Sequence, residues 1–119
     1  MKEYLWVALG GALGSMLRYT ISALTLMMGI TSLAATFVAN ICGAFLIGLI
    51  MATVTNSHLL LFGTVGVCGG FTTFSTFSAQ TLELFQSGQY ALAVGYVLAS
   101  VLACVLFVYL GISLGRFIR

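Results

Sequence analysis

Four long apolar runs, set off by short polar clusters, account for nearly the whole chain. They predict helices over about residues 4–28, 33–53, 59–85 and 90–117. The separators are Gly29-Ile30-Thr31-Ser32, Thr55-Asn56-Ser57-His58 and Gln86-Ser87-Gly88-Gln89. Glycine with small hydroxyl and amide residues marks turns. A helix crossing a bilayer needs about 20 apolar residues, and each run is long enough. The third run is not uniform. Gly63, Gly66, Gly69 and Gly70 lead into Phe71-Thr72-Thr73-Phe74-Ser75-Thr76-Phe77-Ser78. Two glycines followed by Thr72-Thr73 predict an interruption near residues 69–73, at mid-membrane. The chain has no proline, so a helix break must come from Gly or from Ser and Thr side chains.

Composition turns four apolar helices into a membrane protein. Of 119 residues, 61% are hydrophobic and 5% charged, and the mean hydropathy is +1.19. A soluble domain is about 25% charged. There is too little charge here to coat a water-facing surface, which excludes a soluble enzyme and a disordered chain. The net charge of +2 is too small and scattered for a nucleic-acid partner. The expected fold is an all-α integral membrane protein, one four-helix domain over residues 1–119. A cleaved signal peptide is not expected. Four spans put both termini on one side. Lys2, Arg116 and Arg119 favour the cytoplasm for that side, but the loops between helices carry no Lys or Arg. So weak a bias is compatible with insertion in both orientations. Cys42, Cys68 and Cys104 lie in apolar context without paired spacing and read as small buried hydrophobes. With His58 the only histidine, no Cys/His metal site is expected.

A few residues stand out against this background. Arg18 lies inside the first run, roughly 21 Å along the axis at 1.5 Å per residue. It reads either as a snorkelling anchor or as a cation at a pore mouth that concentrates anions. Asn40 sits in an apolar helix and must find a partner, either on a neighbouring helix or in an anion pathway. At the interruption, freed carbonyls are tolerated only inside protein or on an ion. They suit a hard cation such as Na⁺, whereas a helix N-terminus at the same break favours an anion. Phe71, Phe74 and Phe77 recur every three residues, so they predict one drifting helical stripe. Their ring edges carry the positive end of the aromatic quadrupole. Beside Ser and Thr hydroxyls, those edges suit an anion stripped of water.

Gly10-Gly11-Ala12-Leu13-Gly14 with Arg18-Tyr19, then Val38-Ala39-Asn40 with Gly43 and Gly48, then the block over residues 69–78, together resemble the CrcB/Fluc fluoride channel family. The resemblance covers nearly the whole chain, in order. It implies a passive, fluoride-selective channel of bacterial inner membranes that exports toxic fluoride. It implies an antiparallel, dual-topology homodimer with two pores and a structural Na⁺ at its centre. By position, main-chain carbonyls of Gly69 and Thr72 would hold the Na⁺. Phe74 and Phe77 would line the pore, with Asn40 as a hydrogen-bond donor. Ser75, Thr76 and Ser100 would belong to its polar track, Tyr96 would be a pore-facing aromatic, and Arg18 would lie at the vestibule.

Two other classes fit less well. A small multidrug transporter is also short and four-helical, but needs a carboxylate inside its first helix. Here Glu3 is terminal and Glu83 is near the end of the third run. A non-transporting membrane subunit would have no use for the Phe and hydroxyl block. A proton-coupled mechanism would place an ionisable group on its route, and no charged residue occurs between Arg18 and Glu83.

Overall fold

A computed structural model describes all 119 residues. The chain is all helical: α1 (Lys2–Met27), α2 (Ser32–Thr53), α3 (residues 57–71), α4 (Phe74–Gln86) and α5 (Tyr90–Ile118). Four spans are long and apolar enough to cross a bilayer, and the third, Ser57–Gln86, consists of α3 and α4 together. The long dimension is 47 Å, matching a bilayer of about 40–45 Å with its headgroups. Only 20 residues are buried, while Leu102, Val105 and Phe117 are among many large apolar side chains facing outward. In lipid that surface carries no penalty.

The turns follow from local chemistry. After α1, Gly29 takes a positive φ of 76°, and Ile30 N–H donates to the Thr25 carbonyl at 2.9 Å. After α4, Gly88 repeats the arrangement at φ 78°, with Gln89 N–H donating to Leu84. Both are Schellman closures, which need a left-handed residue and so favour glycine. Thr31 Oγ1 then accepts from Ala34 N–H to start α2, and Asn56 Oδ1 accepts from His58 and Leu59 N–H to start α3.

Packing pairs α1 with α3, and α2 with α5. Each pair runs in parallel, as alternate spans must. Along the second seam Gly48 faces Val108, and Gly115 faces Ala52. A side chain on Gly48 would strike the Val108 carbonyl, and one on Gly111 the Phe45 carbonyl. In the first seam Gly10 and Gly66 are in backbone contact, each excluding a Cβ from the other. Apolar tails compete equally for Leu or Val, so such small-residue seams, where backbones touch, hold membrane helices together. Within α3, residues Phe62–Cys68 form a π-helix. Its wider turns are rare, and such stretches are frequently found at functional sites.

Candidate functional site

The third span breaks at Thr72-Thr73. Thr72 has φ −79° and ψ 154°, and Thr73 has φ −143° and ψ 108°. Gly69 and Gly70 stay helical, so the interruption lies at the C-terminal edge of the expected window. Glycine serves here for approach rather than for bending: a Cβ on Gly70 would meet the Gly11 carbonyl at 2.6 Å. The break also divides the aromatic series. Phe71 is buried at the end of α3, whereas Phe74 and Phe77 lie on α4, so the expected continuous stripe of three is interrupted after Phe71.

Extended residues inside a membrane helix leave backbone groups unpaired, and the chain supplies side chains to meet them. In an unbroken helix Thr73 N–H would bond to the Gly69 carbonyl. It donates instead to Asn40 Oδ1 at 2.9 Å, while Asn40 Nδ2 donates to the Thr73 carbonyl at 3.3 Å. The Gly70 carbonyl, which lost Phe74 N–H, accepts from Arg18 Nε at 3.1 Å. Thr76 N–H, owed to the Thr72 carbonyl, goes to Thr73 Oγ1 at 3.2 Å and caps α4. Neither the Gly69 nor the Thr72 carbonyl receives a backbone hydrogen bond. Arg18 and Asn40 thus both act on the break, and Arg18 is half-buried against it.

The hydroxyls sort into two groups. Those of Thr72, Ser78 and Thr81 donate back to carbonyls of Cys68, Phe74 and Phe77 in the preceding turn. Ser75 and Thr76 instead join Thr73 Oγ1, at 3.3 and 3.0 Å. Ser100, on α5, is buried and its Oγ has no partner.

A groove of about 400 Å³ lies between α2, the broken span and α5; Thr72, Thr73 and Ser100 line it, whereas Ser75 and Thr76 do not. Asn40, Gly69, Thr72, Phe74, Phe77 and Ser100 all line it. No charged residue does. Phe74 is 79% exposed on one side, and Phe77 is 9% exposed. Their ring centroids are 5.6 Å apart, and Phe77 stands 5.2 Å from Tyr96. Tyr96 lies behind Phe77 rather than on the groove wall. Its OH donates to Gln80 Oε1 at 2.8 Å, and Gln80 Nε2 donates to Ser32 and Thr36 hydroxyls. Sequence reasoning missed Gln80. A polar residue on an otherwise apolar helical face was the available signal. Cys68 is buried, Cys104 half-buried, and Cys42, expected inside, faces outward. His58 stacks on Trp6 at 6.2 Å, well away from the groove.

Comparison with known proteins agrees with this layout. Residues 5–112 match the family described as CrcB-like protein, Camphor Resistance (CrcB). The fluoride-specific ion channel FluC of Magnetococcus marinus is 44% identical over 95% of this chain and 97% of its own. That of Geotalea daltonii is 41% identical over 99% and 100%, and that of Phocaeicola vulgatus 42% over 94% and 97%. These relatives are ion channels, not enzymes. With four spans, a broken third helix and a match over nearly its full length, the chain belongs to the CrcB-like family of multi-pass membrane proteins.

Proposed function

We propose that the chain forms a passive, fluoride-selective channel that exports fluoride across a bacterial inner membrane. It does so as an antiparallel, dual-topology homodimer with a structural Na⁺ at its centre. The observation that carries the reading is one groove, in a chain matched end to end by fluoride-specific channels, where two Phe rings meet a buried hydroxyl without a partner.

Fluoride is small and strongly hydrated, so a pathway must replace its water. Phe74 and Phe77 offer ring edges, Ser100 an uncommitted O–H, and Asn40 the second N–H of its amide. Ser75 and Thr76 extend the polar track along α4. The lack of fixed charge in the groove favours conduction, since an ion must leave as readily as it enters. Arg18 retains its terminal guanidinium nitrogens, which can raise anion concentration at the entrance. Phe74, an exposed aromatic beside an open groove, lacks a facing wall, and a second copy of the chain supplies one.

The donor set for the cation is main-chain oxygen. No cluster of His, Cys, Asp or Glu offers an alternative. The Gly69 and Thr72 carbonyls have lost their helical donors to Asn40 and Thr73, and such bare carbonyls fit a hard monovalent cation. Bound Na⁺ would supply positive charge that ties two helix breaks together across the dimer axis.

Fluoride efflux from liposomes tests the reading, with a potassium ionophore clamping charge and chloride run in parallel. Fast fluoride loss with little chloride loss is expected. Phe74→Ile and Phe77→Ile should each cut the flux by at least about tenfold, a barrier increase near 1.4 kcal/mol, with the dimer intact. Equal fluoride and chloride loss, or unchanged flux in both variants, would overturn it.

A further inference from the structure

We infer that Asn40 is a positioning residue for the central cation: its side-chain amide keeps the Gly69 carbonyl free to bind Na⁺. The inference rests on the Na⁺ reading above and deepens it. A carbonyl in a helix is ordinarily occupied by the N–H four residues later. For Gly69 that donor belongs to Thr73. The Thr73 N–H is held at 2.9 Å by Asn40 Oδ1, from a residue 33 positions away on α2. The same amide holds the Thr73 carbonyl through Nδ2 at 3.3 Å. Both backbone polar groups of one residue are therefore engaged by one side chain, which fixes the amide's orientation and keeps Thr73 extended.

The second carbonyl depends on the same clamp. Thr72 loses its donor because Thr76 N–H turns to Thr73 Oγ1. That hydroxyl is in place only while Thr73 keeps φ −143° and ψ 108° as the cap of α4. Without Asn40, the helical acceptor for Thr73 N–H is the Gly69 carbonyl. Returning there satisfies the N–H and fills the oxygen a cation needs. Competition between an internal N–H and a cation for one carbonyl thus sets the sodium affinity. Gly69 itself is exposed at the groove, so nothing else in the chain covers the oxygen.

The test reads sodium, not fluoride. Purified full-length protein is melted across a Na⁺ series at constant ionic strength, with N-methylglucamine as the replacement cation. The midpoint, taken as the apparent Na⁺ dissociation constant fitted to the rise in stability as RT ln(1 + [Na⁺]/Kd), is compared for wild type, Asn40→Ala and Asn40→Asp. Asn40→Asp keeps an oxygen acceptor for Thr73 N–H, whereas Asn40→Ala removes it. The expected result is a melting temperature that rises with Na⁺ in wild type, and a midpoint at least about tenfold higher for Asn40→Ala. Asn40→Asp should stay within about threefold of wild type, or bind tighter. A general loss of packing would lower all melting temperatures without moving the midpoint. An unchanged midpoint in Asn40→Ala overturns the inference, and so does a tenfold rise in Asn40→Asp, which decides the matter should the alanine variant not fold. A wild type whose melting ignores Na⁺ overturns the sodium reading itself, a distinguishable result, and this inference with it.

Discussion

The α2–α5 seam and the break of the third span lie side by side but are built on opposite terms. The seam is backbone against backbone. Gly48 sits on the Val108 carbonyl and Gly111 on the Phe45 carbonyl, and the one hydrogen bond across it lies at its end, where Arg119 Nη1 donates to the Ala52 carbonyl at 3.4 Å. At the break, local bonding fails at Thr72-Thr73, and distant side chains replace it. Arg18 and Asn40 reach Gly70 and Thr73 across 52 and 33 positions of sequence. The contrast separates two jobs. The seam tolerates no added atom and makes a rigid wall. The break exchanges its polar groups with distant side chains and leaves the Gly69 and Thr72 carbonyls without backbone donors.

The largest effect should come from the seam. Gly111→Ala drives a Cβ into the Phe45 carbonyl, with Leu49 N 2.9 Å away, and backbone cannot step aside as a side chain can. A loss of about 3 kcal/mol is expected, read as a sharp drop in the temperature at which the folded species disappears in size-exclusion chromatography. Gly95→Ala on the same helix meets nothing within 4 Å. It should stay neutral or gain up to ~1 kcal/mol from helix propensity. Equal behaviour of the two variants would dissolve the distinction between seam and open face.

These two regions were not equally legible in the sequence. The four spans follow from apolar runs and turn clusters. The positive-φ turns sit on the very glycines, Gly29 and Gly88, that the polar clusters contain. A break in the third span was readable from glycines, hydroxyls and the lack of proline. Which residues of the expected 69–73 window leave the helix was not, because Gly69 and Gly70 look like breakers but stay helical, and Gly70 serves close approach to α1. The interruption falls where Asn40 and Arg18 can reach unpaired peptides, and that is a tertiary fact. The same holds for Gln80, Tyr96 and Thr36, whose network joins three helices. Residue type announced Asn40 as needing a partner; only the fold shows that the partner is a peptide group. The Phe71–Phe74–Phe77 spacing misled for a related reason, since a period of three has meaning only along an unbroken helix.

A middle effect tests whether distant side chains maintain the break. Arg18→Leu leaves the Gly70 carbonyl without its donor in a half-buried setting. The expected cost is about 1–3 kcal/mol. Arg18→Lys should recover part of it, since an ammonium can still donate but lacks the Nε geometry. Fluoride flux measured at several ionic strengths separates this from a role at the vestibule. Loss of a steering charge weakens at high salt, because exposed charges are screened within about 8 Å at physiological strength. Loss of a bond inside the fold does not. A variant as stable as wild type would return Arg18 to the status of a surface anchor.

The smallest effect on stability should occur at Ser100, and there it is informative because function and folding point in opposite directions. Its Oγ is buried without a partner, so the folded chain already bears the cost of a desolvated hydroxyl. Ser100→Ala removes that cost along with little volume. Stability should therefore be unchanged or rise by up to ~1 kcal/mol, since deleting an unsatisfied polar atom relieves its desolvation. If the hydroxyl is held in reserve for an ion in the groove, fluoride flux should fall in the same variant. A protein that becomes no less stable and conducts less well assigns the orphan hydroxyl to the pathway. One that conducts as before makes Ser100 a tolerated packing residue, and leaves Phe74, Phe77 and Asn40 to strip fluoride of its water.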